Sequence, residues 1–217
     1  MYQVINNISA LSILLPLGAA IFYFKRFTIT FKILAIFFIV SSVFELALVM
    51  MVRYGTPNNA PLIHLFVLVS IIFFGVVYYR TLLNPWLKKL VLFLVPVVVV
   101  ISIISSIYIE GIWAFPAISN SAQSVLFILF SLLYFHQLLT RQEFVHIEKQ
   151  GLFWINAGVL IYFSSNIFLF MLYNRMIDSI TWNFWIIHSI TNIVANILYT
   201  IGLLCKPQKP TSYQYSL

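Results

Sequence analysis

Three residues of the types that bind metals or move protons lie inside long apolar runs. They are Glu45 in VFELALVMM, His64 in PLIHLFVLV and His188 in TWNFWIIHSITNIVANILYTIGLL. One glutamate and two histidines can hold zinc and leave a fourth position for water, the arrangement of a hydrolytic centre. Without a metal, the same groups can hydrogen-bond or charge-pair with a ligand. An ionisable side chain inside a membrane segment is costly and marks a functional site by default. Asn120, Gln123, Tyr162, Asn166, Trp185 and Asn192 are polar or amphipathic companions in neighbouring runs.

Helical spacing gathers these groups on faces. At 100° per residue, Trp185, His188, Thr191, Asn192, Ala195, Asn196, Tyr199 and Gly202 form one stripe. Ile186, Ile190, Ile193, Ile197, Ile201 and Leu204 lie opposite. Such an inverted amphipathic helix turns its aliphatic side to lipid and its small and polar side inward. Phe38, Ser41, Ser42, Glu45, Val49 and Val52 share a second face, and Gly158, Tyr162, Ser165, Asn166 and Tyr173 a third. Counted from the outer helix ends, His64 lies ~5 Å deep, His188 ~9 Å and Glu45 ~12 Å, with Asn166 and Asn192 at ~10–15 Å. The costly groups therefore share a depth in the outer half. The inner half reads as mostly aliphatic and aromatic. The expectation is an outward-facing polar pocket formed by Glu45, His64, Asn120, Gln123, Tyr162, Asn166, Trp185, His188 and Asn192. A zinc site of Glu45, His64 and His188 is the alternative. Asn196 reads as interhelical glue, a bond of about 0.6 kcal/mol on average. His136 and His146 read as ordinary residues of the cytoplasmic interface and loop.

The elements that must carry these faces are seven membrane spans. The chain is 62% hydrophobic and 8% charged, with a mean hydropathy of +1.02. A water-soluble fold of this size cannot hide that much apolar surface. A spanning helix needs about 20 apolar residues. Runs of that length fall near 8–24, 33–52, 61–80, 88–109, 121–140, 152–173 and 182–204. Pro57, Pro61, Pro85 and Pro116 stand near their ends, while Pro16 and Pro96 fall inside and predict kinks. The fold class expected is all-α, a polytopic seven-helix domain over residues 1–204 with a short cytoplasmic tail, 205–217.

Charge orients this bundle. Lys25, Arg26, Lys32, Arg80, Lys88, Lys89, Arg141, Lys149, Lys206 and Lys209 fall on one side, and only Arg53 and Arg175 on the other. By the positive-inside rule the N-terminus is outside and the C-terminus cytoplasmic. No basic residue precedes the first run and Lys25-Arg26 follows it, the charge order of an uncleaved anchor. The net charge of +7 thus orients the chain against anionic lipid and does not imply nucleic-acid binding. Trp86, Trp113, Trp154 and Trp182 fall at span ends, as an interfacial belt requires. No lysine lies mid-span to form a Schiff base, which argues against retinal. Cys205 is the single cysteine, so no intrachain disulfide forms; an inert residue is expected over a palmitoylated one.

The strings ELALVM, NAPLIHLFVLV, GLFWINAGVLIYFSSNIFLFMLYN and WIIHSITNIVANILYTIGLLCK resemble a largely uncharacterised group of small bacterial, Bacteroidetes-type seven-helix membrane proteins. Some of its members sit beside two-component signalling genes. The resemblance implies a bacterial inner-membrane location and a signalling context, and supplies no catalytic residues. The function expected is a receptor-like sensor or accessory signalling subunit acting through a separate cytoplasmic partner. A metal-dependent intramembrane hydrolase and a small-solute transporter are the alternatives. Seven-span zinc hydrolases of the adiponectin-receptor and alkaline-ceramidase type carry a paired-histidine motif on the last helix, and this chain does not.

Overall fold

The computed structural model describes residues 2–55, 58–140, 147–175 and 178–205, with the side chains of Tyr2 and residues 178–184 left aside. Arg141, His146, Lys206, Lys209, the Trp182 side chain and tail residues 206–217 lie outside what is described. Eight α-helices follow one another: α1 (Tyr2–Ser12), α2 (Leu14–Tyr23), α3 (Ile29–Arg53), α4 (Ala60–Thr81), α5 (Pro85–Ile104), α6 (Ala117–Thr140), α7 (Gly151–Leu172) and α8 (Asp178–Leu204). Helices α1 and α2 together make the first span. Among the described residues, seven helical spans are long and apolar enough to cross a membrane.

The break in the first span has a local cause. Pro16 carries no backbone N–H, and its ring crowds the carbonyl four residues earlier. The helix opens at Ile13 and resumes with the Leu17 N–H on the Ile13 carbonyl at 3.1 Å. Pro96 is accommodated within an unbroken α5. That helix ends in a π turn, Ser105–Ile109, closed by the Glu110 N–H on the Ser105 carbonyl at 2.9 Å. Several helices run past their apolar stretch. Span 1 starts at Tyr2 where 8 is expected, α6 at Ala117 where 121 is expected, and α8 at Asp178 where 182 is expected. At the start of α1, Asn6 borders a central cavity. Near the start of α6, Asn120 bonds the Pro116 carbonyl. Polar residues satisfied in this way extend a helix that hydropathy alone would cut short.

The spans form a ring. The first span packs on α3 and α8, α3 on α4, α4 on α6, α6 on α7, and α7 on α8. Helix α5 stands outside the ring against α4 and α6. The outer surface is aliphatic and aromatic, with Val43, Leu92, Phe93, Val100, Leu132 and Phe168 exposed, as embedding in lipid requires. Helix α8 follows its expected faces. Ala195, Asn196 and Tyr199 are buried, while Ile190, Ile197, Ile201 and Leu204 are exposed. Ser165 departs from its expected face and is exposed. Trp86 and Trp113 are exposed at opposite ends of the α5 span, and the indole of Trp154 donates to the Glu148 carbonyl at 2.7 Å.

The tightest contact is between α7 and α8. A Cβ at Gly151 would run into the Gly202 carbonyl oxygen, and one at Gly202 would lie 2.7 Å from the Gly151 carbonyl oxygen. About one turn away along α8, the Tyr199 ring stands 2.7 Å from where a Cβ at Gly158 would be. Backbone therefore meets backbone, the geometry that small residues permit in membranes. Gly151→Ala and Gly202→Ala should each lower stability by about 1–3 kcal/mol, the usual cost of overpacking. Gly18→Ala, whose new methyl group would have nothing within 4 Å, should be neutral or slightly stabilising. Thermal unfolding of the three variants in one detergent checks the contrast.

Candidate functional site

Glu45 is reached by the one face of α3 that turns into the ring. There, a cavity of about 480 Å³ is lined by residues of the first span, α3, α4, α6, α7 and α8, and none of α5. Its lip lies at the bundle end that carries the N-terminus, near Asn6, Val52, Asn59, Phe115 and Trp185. Its floor is aromatic, with Phe38, Phe74, Phe127 and Tyr199. Glu45, Asn120, Gln123, Tyr162, Trp185, His188 and Asn192 all line it. His64 and Asn166 do not.

His64 has a different setting. It is 5% exposed. Its Nε2 donates to the Ala114 carbonyl at 3.0 Å, and its Nδ1 lies 2.7 Å from the Ser106 hydroxyl. Both ring nitrogens are engaged in pinning α4 to the π turn and to the following loop. Neither offers a lone pair to a metal shared with Glu45 and His188. Among the described residues, no three His, Cys, Asp or Glu side chains group closely enough to hold a metal ion.

Asn166 stands behind the cavity wall, fully buried. Its Nδ2 donates to the Tyr162 carbonyl at 2.7 Å and to Thr191 Oγ1 at 2.8 Å. Both amide hydrogens are thus used, so Oδ1 must accept from His188 Nδ1 at 3.2 Å. That assignment puts a proton on Nδ1 and leaves Nε2 of the neutral ring as an acceptor. The ring itself stacks on Trp185 at 4.7 Å and meets Tyr162 and Phe170 edge-on at 5.6 and 6.1 Å. His188 is therefore fixed in both tautomer and orientation.

The asparagines of α8 join it to the first span. Asn192 Nδ2 donates to Ser9 Oγ at 2.9 Å, and Asn196 Nδ2 to Ser12 Oγ at 2.7 Å. Gln123 Nε2 donates to Ser70 Oγ at 2.5 Å, tying α6 to α4. Two cavity groups are left over. The Ser41 hydroxyl is buried and makes no hydrogen bond. Glu45, one turn further on, has no hydrogen bond or ion pair to any described residue.

Two polar nodes went unread in the sequence. Glu110 accepts from Ser105 Oγ at 2.9 Å, from the Ile118 N–H at 3.0 Å and from Asn174 Nδ2 at 3.2 Å. One loop carboxylate thus binds the ends of three spans. Toward the opposite end, the buried Tyr78 hydroxyl donates to Asn156 Oδ1 at 2.9 Å and lies 2.8 Å from Ser131 Oγ. The half of the bundle away from the cavity thus carries a buried polar node among its apolar residues. Cys205, just past α8, is partly buried, and burial pushes its thiol up, away from reactive thiolate.

Fold and surface define a multi-pass, all-helical membrane protein built as a seven-span bundle. The chain matches no protein-family model, no curated protein and no solved structure.

Asn166→Leu should remove three hydrogen bonds, two of them interhelical, while keeping the number and branching of the side chain's heavy atoms. At about 0.6 kcal/mol for each interhelical bond, the expected loss is about 1–2 kcal/mol. Trp185 emission should also shift as the His188 ring is freed. Thermal unfolding and tryptophan fluorescence test both; an unchanged spectrum would mean that Asn166 does not fix the ring.

Proposed function

We propose that this protein is a receptor-like sensor or accessory signalling subunit of a bacterial inner membrane. In this reading it takes a small ligand into an outward-facing pocket and acts through a separate cytoplasmic partner. The observation that carries the reading is the cavity at the N-terminal end of the ring, where Glu45 and Ser41 are left without protein partners among the described residues. Most buried polar groups in proteins are satisfied, so the buried, unpartnered Ser41 and the half-buried, unpaired Glu45 beside an open volume point to a ligand.

Charge supports the orientation. Among the described residues, Lys25, Arg26, Lys32, Arg80, Lys88, Lys89 and Lys149 sit at the end opposite the cavity, with Arg53 and Arg175 at the cavity end. The positive-inside rule puts the first group in the cytoplasm. A ligand held between the first span and α8 acts by its differential affinity for two arrangements of those helices. The glycine contact makes α7 and α8 one body. The first span, broken at Ile13 and joined to α8 by serine–asparagine bonds, is the piece that such a ligand would shift against it.

In a Cys205→Ser background, a membrane-impermeant maleimide should label Tyr54→Cys in intact cells, and Trp86→Cys only after permeabilisation. The reverse pattern would place the pocket in the cytoplasm. Glu45→Ala should abolish the partner's response with thermal unfolding kept near wild type, whereas His188→Ala should abolish it with a stability loss on the order of 1–2 kcal/mol as the bond to Asn166 and the ring contacts go. Loss of expression would instead make both side chains structural.

A further inference from the structure

Building on the ligand-pocket reading, we infer that the cavity takes a lipophilic monocation, an ammonium head carried on a compact aromatic or alkyl body. Glu45 supplies the sign. Among the described residues it is the one formally charged side chain lining the cavity, and no lysine or arginine lines it. A half-buried carboxylate among aromatic rings is favoured in its charged form by a nearby cation, and the described protein provides none.

The walls supply the rest. Phe37, Phe38, Phe74, Phe127, Tyr162 and Trp185 face the same volume. Aromatic faces attract a cation, more strongly once it is desolvated, and they pack an apolar body equally well. Ser41 is 7% exposed, and its unpartnered Oγ stands one helical turn from Glu45. In the neutral ring, His188 Nε2 is an acceptor once Nδ1 is committed to Asn166, and it can take an N–H of the head group.

Other ligand classes fit less well. An anion would meet Glu45 as a like charge with no basic residue to hold it. A calcium ion needs about 6–8 oxygen ligands, and a magnesium ion a near-ideal octahedron; one carboxylate among aromatic rings offers neither. The volume of about 480 Å³ suits a head group with one or two rings, within the usual span of small-molecule sites.

Three probes of one shape and different charge test this: benzyltrimethylammonium, neopentylbenzene and phenylmethanesulfonate. Each is titrated calorimetrically into the full-length protein in phosphatidylcholine nanodiscs, with empty nanodiscs as the blank. The cation should bind saturably, one per chain, at least about tenfold more tightly than the other two. Glu45→Gln should erase that preference. Equal or tighter binding of the neutral or anionic probe, or a cation preference that survives Glu45→Gln, overturns the cation assignment and leaves a ligand pocket standing. Absence of saturable binding by all three overturns the pocket reading as well. The wild-type series decides by itself if the variant fails to fold.

Discussion

The close approach of α7 to α8 sets the rest of the structure. With Gly151 and Gly202 back to back, no side chain separates the two helices at the end away from the cavity. The pair then diverges only as far as Gly158 and Tyr199 allow. That angle brings Thr191 and His188 of α8 against Asn166 of α7. It also fixes how far α8 stands from the first span, and hence the reach of Asn192 to Ser9 and of Asn196 to Ser12. Lipid supplies little hydrophobic force between helices, so packing and hydrogen bonds of this kind hold a membrane bundle together.

The cavity follows from the ring. Six spans enclose a centre that their side chains only partly fill, and α5 braces the outside. Toward one end the centre is closed by Tyr78, Phe130 and the bonds to Ser131 and Asn156. Toward the other it stays open between small or polar residues of α1, α3 and α8. The polar groups are unevenly satisfied. Asn166, Gln123 and Asn196 spend their hydrogen-bonding capacity on neighbouring helices, while Glu45 and Ser41 do not. That unevenness separates the groups that tie helix to helix from those that do not.

Much of this is legible in the sequence, for a simple reason. Seven apolar runs and a 3.6-residue stripe are strong signals in a chain that must satisfy a bilayer. The stripe of α8 and the face of Glu45 follow from spacing alone, and both turn inward. What stays hidden depends on partners remote in sequence. His64 shares a depth with Glu45, yet its ring is claimed by Ser106 and Ala114. Depth along a helix is legible, but direction around the bundle is not. Glu110 reads as a loop residue because its three partners come from three separate segments. Tyr78, Ser131 and Asn156 are single polar residues in apolar runs, and nothing local pairs them.

The π turn at Ser105–Ile109 acts as a phase shifter. An i to i+5 bond fits one extra residue into the turn, so everything after it is rotated by roughly 100° relative to a regular helix. Ser106 meets His64 at the start of the turn, and Glu110, at its close, meets Asn174 and the Ile118 N–H. A wheel drawn through this span from Pro85 holds to Ser105 and loses its phase through the turn that follows. A chain one residue shorter here would regain a regular helix and lose the clasp that ties three spans at the mouth of the cavity.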